Sequence, residues 1–238
     1  MNVNMKRYSI LIIVLISVQF SKAQDSIISV SYLQGKYDTK LIDTYYDLLE
    51  PVDIKPSYKV FYGGILGYDK LRKENKIQNQ RYLTLIDFSL SSKQKRLWVI
   101  DMETLYIVHH CLVSHGKNSG AEYAVRFSNT VNSYMSSIGF FLTGATYFGK
   151  HGQSLYLEGL EEGINNNARK RAIVMHSAQY VTPDFISKNG RLGRSFGCPA
   201  LPPTKSVEII NKIKDKSCLF IYYPENRYLV NSKYINPT

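Results

Sequence analysis

From residue 82 onward, short β-branched and aromatic runs alternate with polar breaks. Tyr82–Phe88, Arg96–Met102 and Tyr106–Val113 are three such runs, separated by Ser-Ser-Lys-Gln-Lys and by Glu103-Thr104. That spacing predicts a series of hairpins. Gly139–Phe148, Ser154–Leu160 and Ala172–Met175 predict further strands, punctuated by glycines and by the Asn165-Asn166-Asn167 cluster. The period changes to helical in Lys205–Lys214, where Val207, Ile210 and Ile213 fall on one face after Pro202-Pro203, with Thr204 as the expected N-cap. Cys218–Tyr223 predicts a last strand, ended by Pro224. No internal repeat is present, and the strands differ too much from one another for a propeller.

Before residue 82 the pattern is weaker. Residues 24–79 are polar and Tyr-rich, with Leu41, Tyr45, Leu48 and Leu49 at helix spacing before Pro51. The charged stretch 69–81 suits either a helix or a linker. The expected organisation is a helical or linker segment over 24–79, a mostly β (α+β) domain with few helices over 80–224, and a C-terminal tail over 225–238.

The first residues bear on compartment. Lys6 and Arg7 precede an apolar run from Tyr8 to Phe20, and Ser21-Lys22-Ala23 places small residues at the −3 and −1 positions of a cut before Gln24. This is the layout of a cleaved secretory signal over residues 1–23. The run is shorter than the roughly 20 residues that span a bilayer, so no stable membrane insertion is expected after cleavage. Loss of Lys6, Arg7 and Lys22 lowers the formal charge from +11 to +8. An exported basic chain favours anionic partners such as acidic lipid or cell-wall polymer, periplasmic or extracellular. Its cations are scattered with no aromatic-interleaved stripe, which argues against nucleic acid.

Three cysteines are present, an odd number that leaves at least one free thiol in an exported chain. Cys111 and Cys218 lie in apolar, strand-like runs and suit buried thiols or a disulfide pair. Cys198 lies instead among turn residues, in Arg194-Ser195-Phe196-Gly197-Cys198-Pro199. A thiol acts as a nucleophile only as thiolate, so it needs an accessible position and stabilising neighbours. Gly197 permits close approach to the backbone, turn amides can hold an oxyanion, and Arg194 can favour the thiolate or bind a carboxylate. The alternative is that Cys198 is only a small residue filling a Gly-Pro turn.

A nucleophile needs a base, and five histidines compete. His109 and His110 are adjacent in a strand and point to opposite faces. His115 belongs to a loop. His151, in Gly-Lys-His-Gly, is a competitor. His176 is preferred, because it ends the buried run Ala-Ile-Val-Met and is held rigidly at a strand's exit. No Asp or Glu stands beside it in sequence, which leaves a backbone carbonyl to fix its tautomer. No His-Glu-x-x-His, Cys-x-x-Cys or His-x-His spacing points to a metal, and no Gly-x-Ser-x-Gly points to a serine hydrolase. Tyr134, Tyr147 and Tyr180 suit either a groove or the core.

These residues carry a resemblance. In order they are Ser114-His115-Gly116 with Ser119-Gly120, Phe127-Ser128-Asn129, Ser137 with Gly139-Phe140-Phe141 and Thr143-Gly144, and Tyr147 with Gly149-Lys150-His151-Gly152. Leu157 with Gly159-Leu160-Glu161 follows, then Arg171-Ala172-Ile173-Val174 with His176, Ala178, Tyr180 and Val181, and finally Gly193 to Ala200. The ordered set, over about residues 82–224, resembles the murein L,D-transpeptidase catalytic-domain family, the branch related to YkuD-type enzymes.

The resemblance implies a β-sandwich or open barrel and thiol acyl transfer on peptidoglycan stem peptides, without metal or organic cofactor. Cys198 would be the nucleophile, His176 the base and acid, and the Gly197 and Cys198 amides the oxyanion donors. Ser177 would orient the imidazole through its carbonyl, and Arg194, Ser195, Tyr147 and His151 would meet substrate. Stem hydrolysis, as an L,D-carboxypeptidase or endopeptidase, and non-catalytic wall binding are the alternatives. Two departures stand out: Phe196 occupies the place of a second histidine in the wider Ser-His-Gly-Cys motif, and Pro199 follows the cysteine where Arg or Asn is common. Ser114-His115-Gly116 imitates that motif but ends in Lys117, so a structural role is expected for it.

Overall fold

The computed structural model describes residues 39–50 and 54–236. The expected signal segment lies outside the described residues, as does the stretch 24–38. Among the described residues no helix is long and apolar enough to cross a membrane.

Two helices precede the strands, α1 (Thr39–Leu48) and α2 (Tyr58–Lys73). Helix α2 ends in the cations Lys70, Arg72 and Lys73, which complement the negative end of its dipole. Asn75 then turns left-handed at φ 54°, so the charged stretch after residue 73 leaves the helix. One face of α2 is built from Val60, Phe61, Gly64, Gly67 and Leu71, all buried. Its glycines let the backbone approach the sheet closely: a Cβ at Gly64 would lie 2.4 Å from Leu85, and one at Gly67 would lie 2.1 Å from the Phe140 ring. The sheet's core therefore draws on residues before 80.

The period-2 runs form one mixed eight-stranded sheet in the order β3-β2-β1-β8-β4-β5-β6-β7. The strands are β1 (Tyr82–Asp87), β2 (Leu97–Asp101), β3 (Tyr106–Cys111), β4 (Gly139–Gly149), β5 (Gly152–Gly159), β6 (Val174–Ser177), β7 (Ala200–Leu201) and β8 (Cys218–Tyr222). The first three form the expected antiparallel meander, as do β4 and β5. Two pairings are parallel: β1 with β8, and β6 with β7. The chain leaving β3 then meets the other end of the sheet. Ser114 N–H donates to Ala200 O at 3.0 Å, and Gly116 bridges Ser195 in parallel. These bonds bring the outermost strands together into the nearly closed, mostly β architecture.

Three further helices complete the fold: α3 (Pro183–Asn189), α4 (Pro203–Ile213) and α5 (Asn226–Asn231). Helix α4 starts two residues earlier than expected, with Pro202 at the N-cap and no side-chain capping bond, so Thr204 does not cap it. Its buried face is Ser206, Ile209, Ile210 and Ile213, whereas Val207 is 55% exposed. An apolar Ile209 beside Ile210 rotates the buried stripe away from Val207. Residues 225–238, expected as a tail, contribute the buried Tyr228, Leu229, Tyr234 and Ile235. Buried Glu161 holds them: its carboxylate accepts from Phe140 N–H at 2.7 Å, from Tyr228 OH at 3.2 Å and from the Ser232 hydroxyl.

The fit of α2 on the sheet is testable. Gly67→Ala gains helix propensity but drives a methyl into Phe140, whose ring is stacked on Phe220 at 4.3 Å. Overpacking should win by about 1–3 kcal/mol, a loss read from the midpoint of urea unfolding.

Candidate active site

The parallel pairing of β6 and β7 builds the site. His176 pairs with Ala200 and Ser177 with Leu201. Two residues upstream on each chain, Val174 lies level with Cys198, and the Val174 amide donates to Cys198 Sγ at 3.5 Å. His176 lies two residues along β6 from that point, on the same face of the strand as Val174. Ile173, Val174, Met175 and His176 are all buried, which fixes the strand that carries the histidine. His176 Nδ1 lies 2.8 Å from Ser177 O. A carbonyl only accepts, so Nδ1 carries the proton and Nε2 keeps its lone pair. The thiol itself donates to Ala172 O at 3.7 Å, so its proton points at a carbonyl and not at the imidazole.

The turn before the cysteine admits only glycine at 197. Its φ is 126°, and a Cβ there would lie 2.7 Å from Met135 O and 2.8 Å from Ile173. Gly197 N–H, expected as an oxyanion donor, donates instead to Ser195 Oγ at 3.1 Å. Ser195 Oγ donates to Cys198 O at 2.6 Å, and Ser136 Oγ donates to Gly197 O at 3.1 Å. The turn that carries Cys198 is thus closed by two serine hydroxyls.

Electrostatics oppose early charge separation. Burial raises the Cys198 pKa, against the lowering influence of the Val174 amide, the Arg171 guanidinium and the cysteine's own amide. Burial also lowers that of His176, opposed by the Ser177 carbonyl and reinforced by His151 and Lys150. Both shifts favour a neutral thiol beside a neutral imidazole. Among the described residues no group of three or more His, Cys, Asp or Glu is arranged to hold a metal.

The structure groups Ser195, Gly197 and Cys198 in one turn against Val174 of β6, and groups Ser177 and His151 around His176 further along that strand. The His151 ring stacks on that of His176 at 4.4 Å and 24°. Ser195 is buried, so its hydroxyl serves the turn and does not face a ligand. Arg194 donates to Lys117 O at 3.0 Å and Gly120 O at 2.9 Å, bracing the loop after β3 and not the thiol. Tyr147 pairs across with Ser154, which pairs with His176, and its ring stacks on Tyr156 at 4.5 Å. It is two strands from the histidine.

The remaining candidates fall away from the chemistry. His115 is buried and accepts from Arg96 at 2.8 Å through Nδ1; burial and the Arg96 charge push its pKa down to about 3. Cys111 and Cys218 are free and buried in β3 and β8, with two strands between them in the sheet, and burial pushes the Cys111 thiol up to about 12. His109 is buried with Nε2 at 3.5 Å from Glu208, while His110 stacks on Trp98 at 4.8 Å, the opposite faces expected of strand neighbours.

Arg171 is the main residue that sequence reasoning passes over. Its guanidinium donates to Ser128 O at 2.6 Å, Ser133 Oγ at 3.1 Å, Met135 O at 2.5 Å and the Ser137 hydroxyl. It thereby ties the 128–137 loop to the strand beside the thiol and adds a positive charge there. The available signal was its place immediately before a left-handed Ala172 (φ 54°) and a buried strand. Tyr180, which in sequence suits either a groove or the core, lies near the thiol: its phenol is pushed up to about 12 by burial and by the proximity of Cys198.

Residues 53–222 match the family described as L,D-transpeptidase catalytic domain, and the chain belongs to that family. Among solved structures it is similar to an L,D-transpeptidase from Mycobacterium smegmatis (13% identity, TM-score 0.37, covering 60% of this chain and 59% of that one). It is similar also to LdtMt1 in complex with imipenem (14%, 0.36, 60% and 59%). A third is an L,D-transpeptidase from Xylanimonas cellulosilytica (12%, 0.33, 78% and 93%). The chain spans 59% of the length of the first two. No curated protein matches it.

The electrostatics give a pH prediction. Alkylation of Cys198 by iodoacetamide should rise with pH along a curve whose midpoint lies above the ~8.5 of an ordinary thiol. Arg171→Met should move that midpoint higher still, because it removes a cation that stabilises the thiolate. A midpoint below that of a free cysteine would contradict the assignment.

Proposed function

We propose that this protein is an exported L,D-transpeptidase acting on peptidoglycan stem peptides, with Cys198 as nucleophile and His176 as base and then acid. The observation that carries this reading is the alignment of Val174 with Cys198, which sets the sulfur one strand repeat from an imidazole oriented by Ser177 O. Family membership supplies the substrate class.

In this reading the sulfur turns from Ala172 O toward His176 Nε2, which takes its proton. The thiolate attacks the carbonyl of the L,D amide between the third residue of a donor stem and its terminal D-alanine. The Cys198 amide, already directed at its own sulfur, is positioned to hold the resulting oxyanion. His176 returns the proton to the leaving amine, the C–N bond breaks, and a thioester remains. An amine from a neighbouring stem then attacks the thioester and gives its proton to His176; the C–S bond breaks, leaving the cross-link, and His176 returns the proton to the sulfur. The positive groups around the pair, Arg171 and Lys150, suit a substrate rich in carboxylates.

Incubation with a tetrapeptide stem should give a covalent adduct by intact mass, as should a carbapenem of the imipenem kind. Cys198→Ala should give neither, and His176→Ala should slow acylation by roughly a hundredfold to ten-thousandfold. Cross-linked product should appear only when an acceptor amine is added. Trimmed stem with no cross-link would make the protein an L,D-carboxypeptidase or endopeptidase, and an unreactive Cys198 would make it a wall-binding module.

A further inference from the structure

Beside the nucleophile turn stands a side-chain cluster that the mechanism does not use. Phe196, two residues before Cys198, is 63% exposed, and Tyr134 is 39% exposed. Their ring centroids are 4.8 Å apart at 48°. Lys117 Nζ lies 4.8 Å from each centroid, so the ammonium is held against both rings. Among the described residues no carboxylate pairs with it.

The cluster is built, and its parts do not hang loose. Tyr134 adopts φ 54°, a conformation that disfavours a bulky residue, yet it presents its ring to water. The surrounding bonds enforce it: Asn118 N–H donates to Tyr134 O at 3.1 Å, Asn118 Nδ2 to Ser133 O at 2.8 Å, and Arg171 to Met135 O at 2.5 Å. Gly116 is required beneath it, since a Cβ would lie 2.6 Å from Tyr134 O. Lys117 is fixed through its amide, which donates to Ser195 O at 2.8 Å inside the nucleophile turn. Strain spent on exposing an aromatic next to a reactive group marks a ligand surface.

We propose that Lys117, held between Tyr134 and Phe196, binds a free carboxylate of the stem peptide while the two rings cover the aliphatic carbons beside it. This inference rests on the stem-peptide reading of Cys198. An exposed ammonium flanked by two aromatic faces keeps its remaining donors for an anion. The groups that act on the catalytic pair, Arg171, Lys150 and His151, are basic as well, so a carboxylate meets no repulsion on arrival. Phe196 stands two residues before Cys198, so their Cα atoms lie no more than about 7 Å apart, within the reach of a short stem.

The test is binding to the Cys198→Ala protein, where no turnover intervenes. Titration calorimetry would compare a tetrapeptide stem bearing free carboxylates with versions amidated at one carboxylate at a time. One amidated form should bind about tenfold to a hundredfold more weakly, and its identity names the carboxylate. Lys117→Met in the same background should bind free and amidated stems equally weakly, while Lys117→Arg keeps most of the preference. Equal binding of all stems by Cys198→Ala overturns the proposal, as does a preference that survives Lys117→Met. So does loss of binding on Phe196→Ala with no effect of Lys117→Met, which would make the cluster a stacking surface only. Acylation of the unmodified protein is measured separately. If stems bind with the expected preference and never acylate Cys198, the transpeptidase reading fails and the carboxylate site stands.

Discussion

Everything at the site depends on the register of a two-residue strand. Ala200 and Leu201 are parallel to His176 and Ser177, and that pairing alone brings Cys198 level with Val174. So short a strand would not hold itself. It is clamped from its other side by Ser114 N–H on Ala200 O and by the Gly116–Ser195 bridge, and from behind by Ala178 N–H on Leu201 O. The same hydrogen bonds bring the outer strands of the sheet together. Closing the sheet and aligning Cys198 with the strand that carries His176 are one event, and loosening either loosens both. Arg96 secures the clamp from within the core. Fully buried, it donates to Val113 O at 3.1 and 2.9 Å, to Leu90 O at 2.8 Å and to His115 Nδ1. His115 can accept that bond only while neutral, which its low pKa ensures.

Burial sets the character of the chemistry in the same way. Desolvation raises the thiol and lowers the imidazole, so the resting pair stores no separated charge. In the proposed reaction, proton transfer is left to the moment of attack, when the amides around the sulfur meet developing negative charge. Arg171 links this to the loop architecture: one guanidinium both biases the sulfur toward thiolate and holds the 128–137 loop by four hydrogen bonds. A residue doing both keeps the positive charge in one place, where a mobile cation would not.

Local periodicity carried most of the fold. The runs at 82–88, 96–102, 106–113, 139–148 and 218–223 are strands because their alternation or full burial can be read within one segment. Helix α3 was missed although its start is spelled in Thr182-Pro183-Asp184: the Thr182 hydroxyl accepts from Phe185 N–H at 3.1 Å and proline takes the first turn. Strand β7 was missed for a deeper reason. Two residues have no period, and their pairing is set by partners 24 and more positions away. Arg171 was likewise illegible as a brace, since its acceptors are mostly backbone carbonyls and serine hydroxyls that carry no mark in sequence. Cys198 and His176 drew attention in the sequence because a thiol among turn residues and a histidine ending a buried strand are local anomalies.

Phe196 and Pro199, the two departures from the wider family motif, follow from this geometry. The side chain at 196 is directed outward, toward Tyr134 and Lys117, with Gly197 between it and the nucleophile. A change there alters the surface a ligand meets and leaves the sulfur's own contacts, Val174 N–H and Ala172 O, as they are. Pro199 acts on the cysteine itself. A residue before proline is restricted to extended conformations, so Cys198 is kept in line with the strand it precedes. Proline also offers no N–H to compete for acceptors, and pairing resumes at Ala200, whose carbonyl takes the Ser114 amide. The extended Cys198 turns its carbonyl to Ser195 Oγ at 2.6 Å, and its sulfur then faces β6. A motif that begins in an aromatic and ends in a proline thus separates two tasks: the ring serves the surface, and the proline holds the nucleophile in register.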